Sequence, residues 1–415
     1  VTGEPLNIPD AYFLPPDAEY SINKSFDQRV GYRTKAVLVV PMKDHKDQLI
    51  GVLQLINRKR HFDAVLAIPE DVEREVVPYS KRTEDLATSL ATQAAVAIEN
   101  SQLYENIEKL FEGFVQAAVT AIEQRDPTTE GHSKRVAGYT VGLAEVVDRA
   151  ADGRYRDTKF TREQLREIRY AGLLHDFGKV GVREEVLVKA KKLYPEHLAL
   201  IRQRYGFLRR TAERDYWRRR AEFLQAGGDG YEQFVAQLDE AHRGGLEQLE
   251  AFLAVVLRSN EPTVVPQGTF EELFEVAQRT YEDIEGNTQP FLTADEVRYL
   301  TIRKGSLDER ERAEIESHVN HTYDFLKRIP WTRELQQVPD IAYGHHEKLD
   351  GRGYPRRISA PDIPVQTRMM TISDIYDALT AQDRPYKPAV RPERALDIMS
   401  EEVGSGQLDR DLFNL

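Results

Sequence analysis

The chain has 415 residues, no cysteine and a formal net charge of −12. At roughly 150 residues per domain, this length predicts two or three domains. The lack of cysteine excludes disulfide scaffolds and thiolate metal sites, so any metal site must use His, Asp and Glu. The acidic balance argues against a general nucleic-acid binder, and we expect no DNA partner. No apolar run approaches the roughly 18 residues of a membrane span and no signal-peptide pattern opens the chain, so we expect a cytoplasmic protein without a membrane span.

Residues 1–83 have the pattern of a mixed α/β domain. Two runs rich in β-branched residues, 36–41 and 49–57, are joined by a polar stretch, which predicts a β-hairpin. Two strands alone are only marginally stable. We therefore expect more strands, and we expect that Val1 does not begin the natural domain, which makes this segment a partial domain.

Residues 84–125 change to a helical pattern. Apolar residues recur every seven positions, at Leu90, Ala97, Tyr104, Phe111 and Ala118. A seam of this length predicts a connecting helix that pairs with a second copy as a parallel homodimer. The alternative is a helix packed on its own domain. Asp126-Pro127 ends the segment, since proline lacks a backbone donor.

Residues 126–415 are predicted to be helical throughout. The expected elements are helices near 132–151, 161–175 and 184–188, compact helices over 306–415, and a loop at 350–364. Residues 189–303 separate them as a charged, helical insertion of three or four helices. Its arginine run is compatible with RNA binding, but interleaved acidic residues at helical spacing favour a solvated helix face.

Seven residues are candidate metal ligands because they form two doublets and further His and Asp residues in apolar helical contexts. A His-Asp doublet can reach two neighbouring ions, and its carboxylate can bridge them. Single buried histidines are usually satisfied core residues, as expected for His321, but several unpaired polar groups are costly to bury. The seven candidates are His132, His175, Asp176, His318, His345, His346 and Asp374.

Several residues near these candidates suit an anionic substrate. Lys179 lies four residues after His175, and a cation there can stabilise developing negative charge. The glycine-rich loop at 351–355 follows the His345-His346 doublet and is interpreted as one side of a substrate-binding pocket. Downstream, Arg384 and Lys387 can contact phosphates. Asp377 is expected either to orient Asp374 without itself binding metal or to cap a helix.

These segments resemble the HD-GYP family of the HD phosphohydrolase superfamily, whose members hydrolyse cyclic di-GMP. The similar motifs are GHSKRV at 131–136, HDFGK at 175–179, HHEKLDGRGYP at 345–355 and SDIYDALTAQDRPYK at 373–387. The resemblance implies that the seven candidates hold two or three divalent metal ions, iron or manganese, with Asp176 as a bridge. It also implies that Lys179, Gly353, Tyr354, Arg384 and Lys387 face the substrate.

One departure concerns a third metal. Some family members carry a glutamate four residues before the first histidine, where this chain has Thr128. We therefore expect two metal ions, and a third would require Glu130 or Glu123 to reach the site.

The N-terminal segment resembles the later half of a GAF domain, on the residues at 6–17, 26–42 and 50–59. The family's nucleotide-associated pattern is degraded, because Arg58 follows Asn57 and Tyr79 stands near the expected phenylalanine. A GAF domain of this kind either binds a small ligand or acts as a dimerisation and signal-relay module. The expected fold class is a partial α/β GAF-type domain joined by a long helix to an all-α HD-GYP domain.

The resulting hypothesis is a metal-dependent phosphodiesterase that converts cyclic di-GMP to linear pGpG and GMP under control of the GAF domain. Asp176 and Lys179 are its candidate catalytic residues. Two alternatives stay open: a non-catalytic cyclic-dinucleotide receptor or scaffold, and an HD phosphohydrolase for another cyclic dinucleotide such as cyclic GMP-AMP. The insertion at 189–303 either caps the site or binds a signalling partner protein.

Overall fold

The computed structural model describes residues 3–126, 131–262, 269–381 and 389–415. The chain divides into two compact units, residues 1–114 and 115–415. The division falls inside a single long helix, Lys81–Arg125. Each unit has its own hydrophobic core. No helix in these ranges is both long enough and apolar enough to cross a membrane.

The first unit is a small antiparallel sheet flanked by helices. Its elements are β1 (Leu6–Ile8), α1 (Ser25–Val30), β2 (Val37–Lys43), β3 (Leu49–Ile56), α2 (Pro69–Glu75) and the first part of α3 (Lys81–Arg125). The strand order is β1-β2-β3, with Leu6 opposite Val39 and Val37 opposite Ile56. The expected hairpin is therefore β2–β3, and β1 supplies a third strand.

Small residues let α3 lie close against this sheet. Leu38 and Val40 of β2 are fully buried in one cluster with Ala87, Ala91 and Ala95 of α3. Beyond this contact, almost all side chains between residues 96 and 110 are exposed. The start of α3 thus packs on its own unit, which was the alternative considered for this helix, and the middle of α3 has an open apolar seam.

The second unit is almost entirely helical. Its helices are α4 (His132–Arg149), α5 (Arg162–Leu174), α6 (Glu184–Leu187), α7 (Pro195–Gln225), α8 (Tyr231–Ser259), α9 (Thr269–Gln278), α10 (Ala294–Leu300), α11 (Glu309–Glu316), α12 (His318–Leu326), α13 (Val338–Tyr343), α14 (Val365–Thr380), α15 (Pro392–Gly404) and α16 (Arg410–Phe413). Short 3₁₀ turns lie at Phe177–Gly181, Arg333–Leu335 and Ala360–Asp362. A two-stranded hairpin, β4 (Thr280–Glu282) and β5 (Thr288–Pro290), lies between α9 and α10.

Helices α4, α5 and α14 form the core that carries the candidate ligands. Ala144, Ile168 and Met369, one from each helix, are fully buried together. Helix α5 begins at a capping box, in which Gln164 N donates to Thr161 Oγ1 at 3.2 Å and Thr161 N donates to Gln164 Oε1 at 2.9 Å. These contacts satisfy backbone donors that a helix start leaves unpaired. They fix the start of the helix whose far end carries His175 and Asp176.

Residues 189–303, the expected insertion, have a hydrophobic core of their own. Ile201, Val256, Leu273 and Leu300 are fully buried in one cluster formed by α7, α8, α9 and α10. The four helices agree with the expectation, but the β4–β5 hairpin was not predicted, because three-residue strands give almost no periodic signal.

The arginine run of the insertion lies along α7. Arg210 pairs with Glu213 at 2.8 Å, and Arg214 pairs with Asp215 at 2.8 Å. These side chains are exposed and paired with acidic neighbours on the same helix, so this part of the run forms a solvated helix face, as predicted. Arg204, by contrast, is largely buried and pairs with Glu296 of α10 at 2.9 Å.

Candidate metal centre

Five segments of the second unit bring the candidate ligands together. His132 is the first residue of α4, His175 and Asp176 follow α5, and His318 is the first residue of α12. His345 and His346 follow α13, and Asp374 lies inside α14. Six of the seven side chains are buried, and His346 is partly exposed. Most of the candidate ligands therefore lie at or just beyond the ends of helices.

Three histidines are anchored in the same way. The Nδ1 atom of each lies within hydrogen-bonding distance of a backbone carbonyl three residues earlier: His175 to Gly172 at 2.7 Å, His318 to Ile315 at 2.6 Å and His345 to Ala342 at 2.6 Å. With the proton on Nδ1, each ring presents the lone pair of Nε2. These three Nε2 atoms are buried and have no hydrogen-bond partner in the structure.

Buried polar atoms without partners are rare in native proteins and call for a missing ligand. An imidazole whose Nδ1–H is held by a carbonyl is also the usual arrangement of a metal-binding histidine. The residues present therefore fit a divalent metal ion, and the donor set contains only imidazoles and carboxylates, which suit several transition metals.

The donor atoms form two groups with Asp176 between them. His132, His175 and Asp374 form one group, and His318, His345 and His346 form the other, with the donor atoms of each within 4.8 Å of one another. Asp176 Oδ2 lies 3.5 Å from His175 Nε2, and Asp176 Oδ1 lies 3.3 Å from His318 Nε2. One carboxylate thus turns an oxygen toward each group, which is the geometry expected of a bridge between two ions.

Burial sets the protonation of these groups. It lowers the pKa of His175 and of His345, so both rings are neutral near pH 7 and can donate a lone pair. Burial alone would raise the pKa of Asp176, but Lys179 and the neighbouring histidines hold it well below the usual value. The carboxylate is therefore ionised, as a metal ligand requires.

His132 is oriented by a second carboxylate. Its Nδ1 lies 2.7 Å from Asp377 Oδ2, and its Nε2 lies 3.2 Å from Asp374 Oδ1. Asp377 also accepts bonds from Arg135 Nε at 2.7 Å and Nη2 at 3.1 Å. Burial lowers the pKa of His132, but the bonds to Asp374 and Asp377 outweigh it and raise the pKa to about 9. The sequence suggested that Asp377 supports Asp374 or caps a helix, but it holds His132 instead, and Arg135 was not singled out.

Lys179 lies against the candidate bridge. Its Nζ atom is 2.9 Å from Asp176 Oδ2 and 3.0 Å from Asp126 Oδ2. Burial would lower the pKa of Lys179, but the two carboxylates raise it above the usual value, so the side chain is charged at any physiological pH. Asp126, which sequence reasoning treated only as the end of a helix, thus holds this cation in place.

The glycine-rich loop packs against the second group of histidines. The ring of Tyr354 lies 4.7 Å from that of His346, measured between centroids. A Cβ atom on Gly353 would come within 2.4 Å of Glu347 Cα, so only glycine fits there. The buried Glu347 carboxylate accepts bonds from Arg356 N at 2.7 Å and from Ile358 N at 3.2 Å. Glu347, which the sequence analysis missed, therefore fixes the shape of the loop.

A second close approach joins the first doublet to α12. Gly178 N donates to Thr322 Oγ1 at 2.8 Å, and Thr322 Oγ1 donates to the carbonyl of His175 at 2.9 Å. A Cβ on Gly178 would stand 1.9 Å from the carbonyl oxygen of His318. The glycine before Lys179 is thus a packing requirement that brings the two ligand segments together.

Some predicted residues lie elsewhere. Arg384, Lys387, Thr128 and Glu130 fall outside the described residues. Glu123 Oε1 accepts a bond from Gly131 N at 2.9 Å, one residue before His132.

His321, expected to be a core residue, is instead exposed on α12. It is adjacent to the 3₁₀ turn after α5, because a Cβ on Gly181 would lie 2.6 Å from its Nδ1 atom. The apolar residues around it in the sequence belong to the opposite, buried face of the same helix.

The fold and the centre define a helical domain built to hold divalent metal ions with histidines and aspartates, and the chain also has a small α/β domain. Comparison with known families agrees with this class. Residues 1–98 match the GAF domain, residues 129–258 match the HD domain, and residues 294–412 match a second HD-domain family. The expected fold class and the resemblance to HD-GYP proteins with an N-terminal GAF domain are confirmed.

Curated relatives match shorter stretches. The chain is 40% identical over 111 residues to 3'3'-cGAMP-specific phosphodiesterase 3 of Vibrio cholerae, covering 27% of this chain and 23% of the relative. It is 46% identical over 72 residues to a cyclic di-GMP phosphodiesterase of the same organism, covering 17% and 14%. It is 33% identical over 105 residues to the cyclic di-GMP phosphodiesterase response regulator RpfG of Xanthomonas campestris, covering 25% and 27%. The matched segments span about a quarter or less of each relative.

Proposed function

We propose that this protein is a metal-dependent phosphodiesterase that hydrolyses cyclic di-GMP to linear pGpG and then GMP. The observation that carries the proposal is the set of three buried, unpartnered Nε2 atoms around an ionised aspartate that faces two groups of donors. A non-catalytic receptor would not need this donor set. Relatives named as cyclic di-GMP phosphodiesterases add support.

The proposal assigns two metal ions to the centre. His132, His175 and Asp374 would hold one ion, and the other would be held by His318, His345 and His346, with Asp176 shared between them. Bound ions of this kind lower the pKa of water and neutralise charge on phosphoryl oxygens. Iron or manganese is favoured by the resemblance to HD-GYP proteins, and a third ion would require Glu123 or Glu130.

The chain's own residues provide binding and charge. Lys179 keeps a positive charge beside Asp176 and can stabilise negative charge that develops on a phosphate there. Gly353 lets the loop fold back so that Tyr354 forms a wall beside His346, where a guanine base could pack. Arg384 and Lys387 are proposed as phosphate contacts on sequence grounds alone. Together these groups favour a small phosphodiester with aromatic bases.

A second candidate substrate is 3'3'-cGAMP. Several relatives that carry this specificity in their names match the chain at 34–40% identity. Both cyclic dinucleotides contain the same phosphodiester linkage, so the centre described here would serve either reaction. The choice between them depends on contacts with the second base.

The remaining units suggest how the activity is controlled. We propose that residues 1–83 act as the sensor, residues 84–125 as a connecting and dimerisation helix, and residues 126–415 as the catalytic domain. Asn57, at the degraded nucleotide-associated motif, bonds the backbone of Lys35, Ala36 and Arg33 and the hydroxyl of Tyr32. Because this amide is fully used within the fold, signal relay is favoured over ligand binding through Asn57. A cytoplasmic location and a signalling partner protein fit this arrangement.

The test is hydrolysis by the full chain loaded anaerobically with iron(II) or with manganese(II). Cyclic di-GMP and 3'3'-cGAMP are supplied separately, and linear products and mononucleotides are separated by chromatography. Asp176→Asn is expected to abolish turnover, because it removes the shared ionised ligand. Asp157→Asn is the control, since this aspartate has a side chain 88% exposed in the same unit. No product from either substrate in a sample shown by elemental analysis to hold metal would exclude the enzyme.

A further inference from the structure

A second candidate ligand site lies where the insertion rejoins the catalytic core. Residues 298–312, which run from the end of α10 through the connecting loop into the start of α11, line a cleft of about 590 Å³. Five of the ten lining side chains are basic, and none of the ten is a candidate metal ligand. The basic residues are Arg298, Arg303, Lys304, Arg310 and Arg312.

The cleft has an excess of positive charge that its own acids do not balance. Asp308 is already engaged, since it pairs with Arg298 and accepts a bond from Glu311 N at 2.8 Å. Glu309 is the other acid in the lining. Within the described ranges, no acidic side chain pairs with any of the four remaining cations. Four such cations against one carboxylate leave a surplus of three charges.

Contacts behind the cleft hold its shape. The buried Lys189 Nζ lies 2.7 and 2.8 Å from the two carboxylate oxygens of Glu311. Ser306 Oγ donates to the carbonyl of Lys189 at 2.8 Å. This bond holds the connecting loop against the residue that pairs with Glu311. The guanidinium of Arg298 packs 4.4 Å from the ring centroid of Tyr299. These contacts hold the base of the cleft, so ligand binding orders mainly the exposed side chains of Arg303, Lys304 and Arg310.

Repulsion among the cations of the connecting loop, Arg303 and Lys304, and those of the first turn of α11, Arg310 and Arg312, is relieved when an anion binds. Arginine in particular suits phosphate, because its planar fork can make two parallel hydrogen bonds. The volume exceeds what a single phosphate needs and lies within the range typical of small-molecule sites. Ile302 and Leu307 add apolar surface to the same lining.

We propose that this cleft binds a nucleotide through its phosphate groups, at a site separate from the His/Asp centre. Arg303, Lys304 and Arg310 contact the phosphates, and the apolar part of the lining faces the base or sugar. The site does not depend on the proposed hydrolysis, and its loss would leave that proposal standing. Because α11 leads directly into His318 of α12, the ligand would be bound next to a segment of the metal centre.

The test is calorimetric titration of the full chain, stripped of metal with a chelator, with GMP, GTP and inorganic phosphate. We expect saturable binding of one nucleotide per chain, tighter for GTP than for inorganic phosphate and weaker at high salt. The triple change Arg303→Gln, Lys304→Gln and Arg310→Gln is expected to weaken nucleotide binding by roughly tenfold or more.

One control decides where the nucleotide binds. The triple change Arg210→Gln, Arg214→Gln and Arg219→Gln on α7 removes the same charge and should leave the affinity unchanged. Equal weakening by the α7 variant, insensitivity to the cleft variant or equal affinity for inorganic phosphate would each overturn the proposal.

Discussion

At the scale of single residues, the centre depends on side chains that hold the ligands as well as on the ligands. Three histidines are fixed by backbone carbonyls three residues earlier, and such contacts cannot be removed by mutation without moving a helix end. His132 differs, because the carboxylate of Asp377 holds its Nδ1 atom. This makes Asp377 the most direct point at which ligand orientation can be tested.

Asp377→Asn is expected to lower metal affinity by about 10- to 100-fold, because the amide is a weaker acceptor for His132 Nδ1 and for Arg135. Competition with a chelating dye, read alongside bound metal per chain, measures the effect. Asp397→Asn is the control, since that side chain is 67% exposed on α15. If Asp377→Asn bound metal as tightly as the unchanged protein, the orienting role would be wrong.

At the scale of elements, the middle of α3 has exposed large apolar side chains. Tyr104, which belongs to the seam seen in the sequence, and Ile107, which lies three residues later on the same face of the helix, are 72% and 62% exposed. Each large apolar side chain buried in a dimer contributes about 1.5–3 kcal/mol. Because a dimer buries each position twice, the double change Tyr104→Asn and Ile107→Asn is expected to raise the dimer dissociation constant by about a thousandfold or more.

Sedimentation over a range of concentrations would measure this dissociation constant. Glu105→Asn with Lys109→Asn, two changes on exposed positions of the same stretch of α3, should leave it unchanged. An unchanged dimer in the Tyr104 and Ile107 variant would place the interface elsewhere, and a monomeric parent protein would remove the dimer proposal altogether.

The elements also show where sequence patterns are informative. Long amphipathic helices were predictable because an apolar stripe is repeated over many turns, as in α4 and α5. The ligand doublets could be recognised as well, because paired polar residues are unusual in apolar segments. Asp126, Arg135 and Glu347 could not, because a single charged residue near a loop carries no periodic signal and its partner lies far away in sequence. The β4–β5 hairpin is too short for alternation to be visible.

At the scale of the whole second unit, one buried carboxylate ties the C-terminus to the core. Asp409 accepts bonds from Tyr155 Oη at 2.7 Å and from Arg368 Nη1 at 2.9 Å, and it caps α16 through Leu412 N. Burial would raise the pKa of Asp409, but these donors lower it below the usual value. The carboxylate therefore stabilises the fold above the pKa of the unfolded chain, and this contribution is lost as the pH falls through the folded value.

Asp409→Ala is expected to lower the free energy of unfolding at pH 7 by about 3–5 kcal/mol, because the buried charge of Arg368 loses its carboxylate and keeps only neutral partners. The variant should also lose stability less steeply than the parent below about pH 4, since it has no carboxylate to protonate. Thermal unfolding between pH 3 and 7 would show both effects. Asp411→Ala, at a side chain 52% exposed, should follow the parent curve.

The way the chain closes around the centre has a consequence for folding. His132 and Asp377 are 245 residues apart in sequence, and the bond from Thr322 to His175 spans 147 residues. Bringing distant ligands together costs more entropy the longer the intervening chain is. Residues 189–303 have their own hydrophobic core, so they can fold independently. Their folding would shorten the flexible chain between the ligands that precede and follow them. Metal binding would then be a late step of folding, because the ligands come together only when the whole second unit has folded. The bound ion would stabilise that folded unit.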